Sequence, residues 1–131
     1  MSDVERLDEP QQDGGRGSVI ASVTNAMVAL HKEQFGRGPI SARSTFSDDD
    51  TLLCTLQGAL LPAEQALTEM GHQARVQESR LFFQMATRDK FIAAVEELTG
   101  RKVAAFASAT DPEAAMVWEI FQFRPHGLRS T

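Results

Sequence analysis

The closing apolar run, Met116 to Phe123, alternates with period two yet carries apolar side chains on both faces. Successive side chains of a strand point to opposite sides, so Val117, Phe121 and Phe123 share one face, and Trp118 and Ile120 the other. One layer of helices covers one side of a sheet only. A second layer or another subunit is therefore expected against the remaining side.

Upstream of this run the hydrophobic period switches between helix and strand values. Ile20, Val23, Met27 and Leu30 recur at spacings of three and four, which predicts a helix from Ser18, as its N-cap, to about Phe35. Lys32 suits its last turn and Gly36 its C-terminal stop. Ile40, Ala42, Ser44 and Phe46 then alternate with polar residues, as Leu52, Cys54 and Leu56 do after them. The short polar side chains of Ser47 to Asp50 between these runs favour a turn, so the pair reads as a hairpin ending at Gly58.

Pro62 fits the first position of a second helix, with Glu64 in its first turn. Ala63, Ala66, Leu67 and Met70 form its expected apolar face, and Gly71 breaks or bends it. A longer helical pattern covers Gln73 to Thr99, with Leu81, Met85, Ile92, Val95 and Leu98 near one stripe and Gly100 as its stop. Thr87 also suits an internal N-cap, so one helix and two both satisfy this segment. Strands from Val103 to Ala109 and from Met116 to Phe123, with a turn at Asp111 and Pro112, complete the chain.

The order helix, Gly-Arg, strand, turn, strand thus occurs twice, at Gly36-Arg37 and at Gly100-Arg101. This weak repeat predicts an α+β fold of duplicated α-β-β units, in which a four-stranded antiparallel sheet carries helices on one face. The expected organisation is a flexible tail over 1–17, a single domain over 18–123 and a short tail over 124–131. A length of 131 residues suits one domain.

Charge and cysteine usage narrow the class. The net charge of -5, with a pI near 5.1, opposes binding to nucleic acid or an anionic membrane in the absence of a basic patch. The lone Cys54 closes no intrachain disulfide and builds no thiolate zinc site. The first seventeen residues lack the apolar stretch of a signal peptide, and no run approaches the roughly 20 apolar residues of a membrane span. A cytoplasmic protein without direct membrane insertion is expected.

Few residues point to chemistry. Arg37 and Gly38, in the turn Gly36 to Pro39, offer a guanidinium and backbone N–H groups to a carboxylate, bicarbonate or phosphate. That turn leaves a helix C-terminus, whose dipole repels anions, so it reads first as a cap and strand start. With Arg43, Arg80 and Arg101 it makes a candidate anion-binding cleft, the alternative being separate ion pairs with the eighteen carboxylates. Asp48, Asp49 and Asp50 lack the alternation of a calcium loop, and His31, His72 and His126 lack metal spacing. Cys54 reads as a buried small apolar residue. No nucleophile, base and orienter are set in order, so catalysis is not expected, and the sequence implies neither cofactor nor metal.

The run HKEQFGRGPISARSTFSDDDTLLCTLQGALLPAEQAL, followed by ESR, VEELTGRKV and VWEIFQF, resembles the bacterial MpsC-like family over about residues 18–123. The family label refers to a Na+-translocating system that generates membrane potential. The resemblance implies a soluble accessory component beside a membrane ion-transport system, coupled in one reading to inorganic carbon uptake. Where that family usually has a Thr ahead of the second helix, this chain has Leu61, a lost cap oxygen that costs about 1 kcal/mol. Two functions follow: a non-catalytic regulatory module that forms a homodimer or other homo-oligomer and meets a membrane transport protein, or a small-anion binder built on the arginines.

Overall fold

The first apolar stripe lies on a helix that starts earlier than Ser18. In the computed structural model, which describes residues 14–125, helix α1 spans Gly14–Phe35. Ser18 is therefore interior rather than an N-cap. Val23 and Met27 are fully buried, Ile20 and Leu30 half-buried, and His31 continues the buried stripe one turn beyond Met27. Gly36, at φ 85°, donates its N–H to the Lys32 carbonyl (2.8 Å) and ends the helix as predicted.

Strands β1 (Ser41–Asp48) and β2 (Thr51–Gln57) pair antiparallel, with an irregularity between Phe46 and Asp48. In their turn the Asp50 N–H donates to Asp48 Oδ1 (2.8 Å), which helps hold the Asp48 carboxyl below the usual carboxylate range. Ile40 lies outside the strand and is 79% exposed, contrary to its place in the alternating pattern. Its side chain leans instead over Gly58, where an added Cβ would stand 2.5 Å from Ile40 Cδ1. Gly58 also has φ +62°, so both backbone and space require glycine there.

Helix α2 (Pro62–Glu69) begins at the proline, and Glu64 Oε1 accepts the Leu61 N–H (2.8 Å). The Glu64 carboxylate thus satisfies the N-cap N–H, while no side-chain oxygen at Leu61 caps the first-turn N–H groups. The expected apolar face of α2 is not used: Ala63, Ala66 and Met70 are exposed, and Leu67 is half-buried. The neighbouring Leu60 fills the core in their place.

Helix α3 (Gln73–Thr99) is one unbroken helix, and the Thr87 hydroxyl donates to the Phe83 carbonyl (2.8 Å) within it. Its buried residues are Val76, Arg80, Phe91 and Val95, whereas Leu81, Met85 and Leu98 are exposed. The stripe is rotated from the expected one because Arg80 is accommodated inside, where Glu64 and Phe35 meet it. Gly100, left-handed at φ 71°, caps the helix.

Strands β3 (Val103–Asp111) and β4 (Met116–Phe123) form the second hairpin, and the sheet order is β1-β2-β4-β3 with antiparallel neighbours throughout. The sheet and its helices form the expected α+β fold. Leu52, Cys54 and Leu56 of β2 and Val117, Phe121 and Phe123 of β4 pack with Val23, Met27, Phe91 and Val95 as the core. Helices α1 and α3 cover that face, and α2 packs on α3. On the opposite face Leu53, Trp118 and Ile120 are half-buried, and no helix of the described residues covers them.

Candidate functional site

Among the described residues, His31, Arg80 and Glu119 are the polar side chains buried between the helix layer and the central strands, and Thr55 is buried on the other face beside Trp118. His31 lies on the buried stripe of α1, and Glu119 lies on the helix-facing side of β4 between Val117 and Phe121. Both are nearly inaccessible, at 4% and 3% exposure. His31 Nδ1 is 2.9 Å from the Met27 carbonyl, and His31 Nε2 is 3.0 Å from Glu119 Oε2. A carbonyl only accepts, so Nδ1 carries a hydrogen; the short Nε2 to Oε2 contact then also needs a proton between the two atoms. The pair therefore holds one shared proton and is neutral as a unit. Glu119 Oε1 is buried and has no hydrogen-bond partner among the described residues.

Aromatic rings wall this pair. The Phe91 ring stands edge-on to His31 at 5.4 Å, and Phe35 lies 6.0 Å from it. Phe35 also supports the Arg80 guanidinium, whose carbon is 3.9 Å from the ring centroid. Arg80 Nε and Nη2 donate to the two Glu64 oxygens at 2.7 and 2.6 Å, and Nη2 also donates to the Ala59 carbonyl at 2.9 Å. This ion pair ties α2 and α3 to the loop after β2.

Across the strands Glu119 stands opposite Cys54 on β2 and Ser108 on β3. The Ser44 hydroxyl lies 3.2 Å from Cys54 Sγ and 2.7 Å from the Thr24 hydroxyl. Burial pushes the Cys54 thiol from 9.0 up to about 11; the Ser44 hydroxyl opposes the shift and the Glu119 carboxylate adds to it. Cys54 is the buried residue its alternation predicted. A cavity of about 20 Å³ lies beside Glu119, and a wider groove of about 280 Å³ shares Arg80, Gln84, Ser108 and Thr110 with it.

The arginines named from the sequence occupy different places. Arg80 belongs to the buried cluster. Arg101 lies at the β1–β2 turn, where it donates to Asp50 Oδ1 (2.6 Å) and to the Asp49 and Arg124 carbonyls (2.7 and 2.9 Å). Arg43 is exposed on β1, on the sheet face opposite Phe46, as the alternation predicts. Arg37 is exposed in the loop after α1, and neighbouring Gly38 packs close to Val28. Asp48 to Asp50 form the hairpin turn, His72 is exposed ahead of α3, and His126 lies outside the described residues.

Sequence reasoning missed Glu119 and undervalued His31. The signal was present in each case: a lone carboxylate on the buried face of an apolar strand, and a histidine four residues beyond Met27 on a buried stripe.

Fold and site together define an α+β protein of two α-β-β units with a polar cluster sealed between its layers and one sheet face that no helix of the described residues covers. A family model described as "Na+-translocating membrane potential-generating system (MpsC)" matches residues 15–124, and the chain belongs to this MpsC family. No curated protein matches the chain, and no solved structure does.

Proposed function

We propose that this chain is a non-catalytic accessory module of a Na+-translocating membrane system, working in the cytoplasm as a homodimer joined through its open sheet face. The observation that carries this reading is the composition of that face. Leu53, Trp118, Ile120 and the alanines 105, 107 and 109, with the buried Thr55 among them, occupy its centre and its β3 side, and Ser41, Thr45, Gln57 and Gln122 surround them. An apolar centre inside a polar rim is the anatomy of a protein interface.

A second copy is the occupant that the charges favour. Arg43 lies on the outer strand β1, and Asp111 on the outer strand β3. Two copies packed face to face about an axis along the strands bring the basic margin of each over the acidic margin of the other. Such an isologous contact closes at two subunits. The family description supports the membrane-system setting.

Light scattering on the size-exclusion eluate tests the reading. A dimer mass is expected for the wild type and a monomer mass for Ile120→Lys, with helix content unchanged by circular dichroism. Trp118, the sole tryptophan, should shift its emission to the red on dilution as the face opens to water. A wild type that stays monomeric up to high concentration removes the proposal.

A further inference from the structure

We propose that the proton shared by His31 and Glu119 is a pH-sensitive latch that holds α1 on β4. The two side chains bridge that helix and that strand almost out of reach of water, with His31 Nε2 3.0 Å from Glu119 Oε2. His31 Nδ1 already gives its hydrogen to the Met27 carbonyl, so the contact holds only while one further proton lies between Nε2 and Oε2. Without that proton an imidazole lone pair faces a carboxylate oxygen. Glu119 Oε1 has no donor among the described residues either, so the buried carboxylate would then keep its charge with no hydrogen bond to either oxygen. Burial of that kind is costly, whereas the protonated pair is neutral. The closed form therefore retains the proton at a pH where free imidazole has lost it.

The surroundings leave this task to the pair. Among the described residues that line the cavity beside it, Arg80 of α3 is the one other charged group, and Glu64 of α2 neutralises it. The α1 residues that share this lining, Gln34 and Phe35, are uncharged. Cys54 of β2 and Ser108 of β3 flank Glu119 across the sheet. The thiol, raised to about 11, keeps its hydrogen through pH 8, and the serine does not titrate. Opening admits water to both members of the pair, and there histidine releases its proton above about pH 6.5 and a glutamic acid above about pH 4.3. The open form thus holds one proton between those values, as the closed form does, and none above 6.5. The latch is at full strength from about pH 4.3 to 6.5 and weakens above that, close to tenfold in its closing constant for each pH unit.

Amide exchange of the full chain, followed by NMR at pH 7 and pH 8 and expressed as protection relative to a free peptide, provides the test. Glu119→Gln is the reference, because its amide N–H donates to His31 Nε2 in place of the proton and does not titrate. Protection of the α1 amides from Val23 to His31 is expected to fall close to tenfold more in the wild type than in Glu119→Gln over that pH unit. An equal change in the two proteins overturns the proposal. A second measurement needs no variant: unfolding the wild type in urea at pH 8, in weakly buffered solution with an indicator dye, should release close to one proton per chain. Release of none overturns the proposal, even where Glu119→Gln fails to fold.

Discussion

The polar residues of the core show how one buried group sets the terms for its neighbours. Arg80 is 6% exposed, and removing it strands the Glu64 carboxylate in a site that is 12% exposed. Breaking a buried pair from one side costs about 3–5 kcal/mol, whereas replacing both partners by apolar residues is often close to neutral. Arg80→Met should therefore lower stability by that amount in a denaturant titration, and Arg80→Met with Glu64→Met by clearly less than the sum of the single changes. Equal additivity would show that the two side chains act independently. Cys54 supplies a second outcome at this scale. Its thiol is raised to about 11 in the folded chain from 9.0, so folding favours the protonated form. The associated stability is complete below pH 9 and is lost as pH rises from 9 towards 11. Wild type and Cys54→Ala should show a constant difference in unfolding midpoint below pH 9 and diverge above it, the wild type losing ground. Native protein should also resist iodoacetamide at pH 8, because almost no thiolate is present.

Elements were more legible than faces. The hairpins, the breaks at Gly36, Gly71 and Gly100 and the C-terminal ends of the two long helices lie where periodicity and terminators put them, since these signals are local, whereas α1 begins ahead of the Ser18 cap. Which side of a helix is buried depends on partners distant in sequence. In α3 the inward stripe includes Arg80 because Glu64 and Phe35 happen to face it, and no window of α3 records that. The same dependence hid the site: His31 and Glu119 meet only once α1 is laid across β4, eighty-odd residues later in the chain. Gly58 is the element boundary most open to test. Its left-handed φ costs an alanine about 1–2 kcal/mol, and the overlap with Ile40 adds to this. Gly58→Ala should lower the unfolding midpoint accordingly, and adding Ile40→Ala should recover only part of the steric cost, because Ile40 Cβ would itself stand 2.8 Å from the added methyl. Full recovery would mean that the backbone carries no strain at that position.

At the scale of the molecule, the period-two run that ends the chain was informative on both counts: Val117, Phe121 and Phe123 do enter the core, and Trp118 and Ile120 do lie across the sheet from it. Sequence alone left open whether a second layer of the same chain would meet them. Among the described residues the helices lie on one side, because α2 is short and packs on α3 rather than reaching round. The dimer proposed above follows from that one-sidedness, and its test belongs to the whole particle rather than to any residue. The strand order has a further consequence. Because β2 from the first half and β4 from the second are the two inner strands, the seam between the halves runs through the middle of the sheet. Neither half can close its core unaided, so a polypeptide severed at Gly71 yields fragments that are each unfolded when separate and regain native structure on mixing.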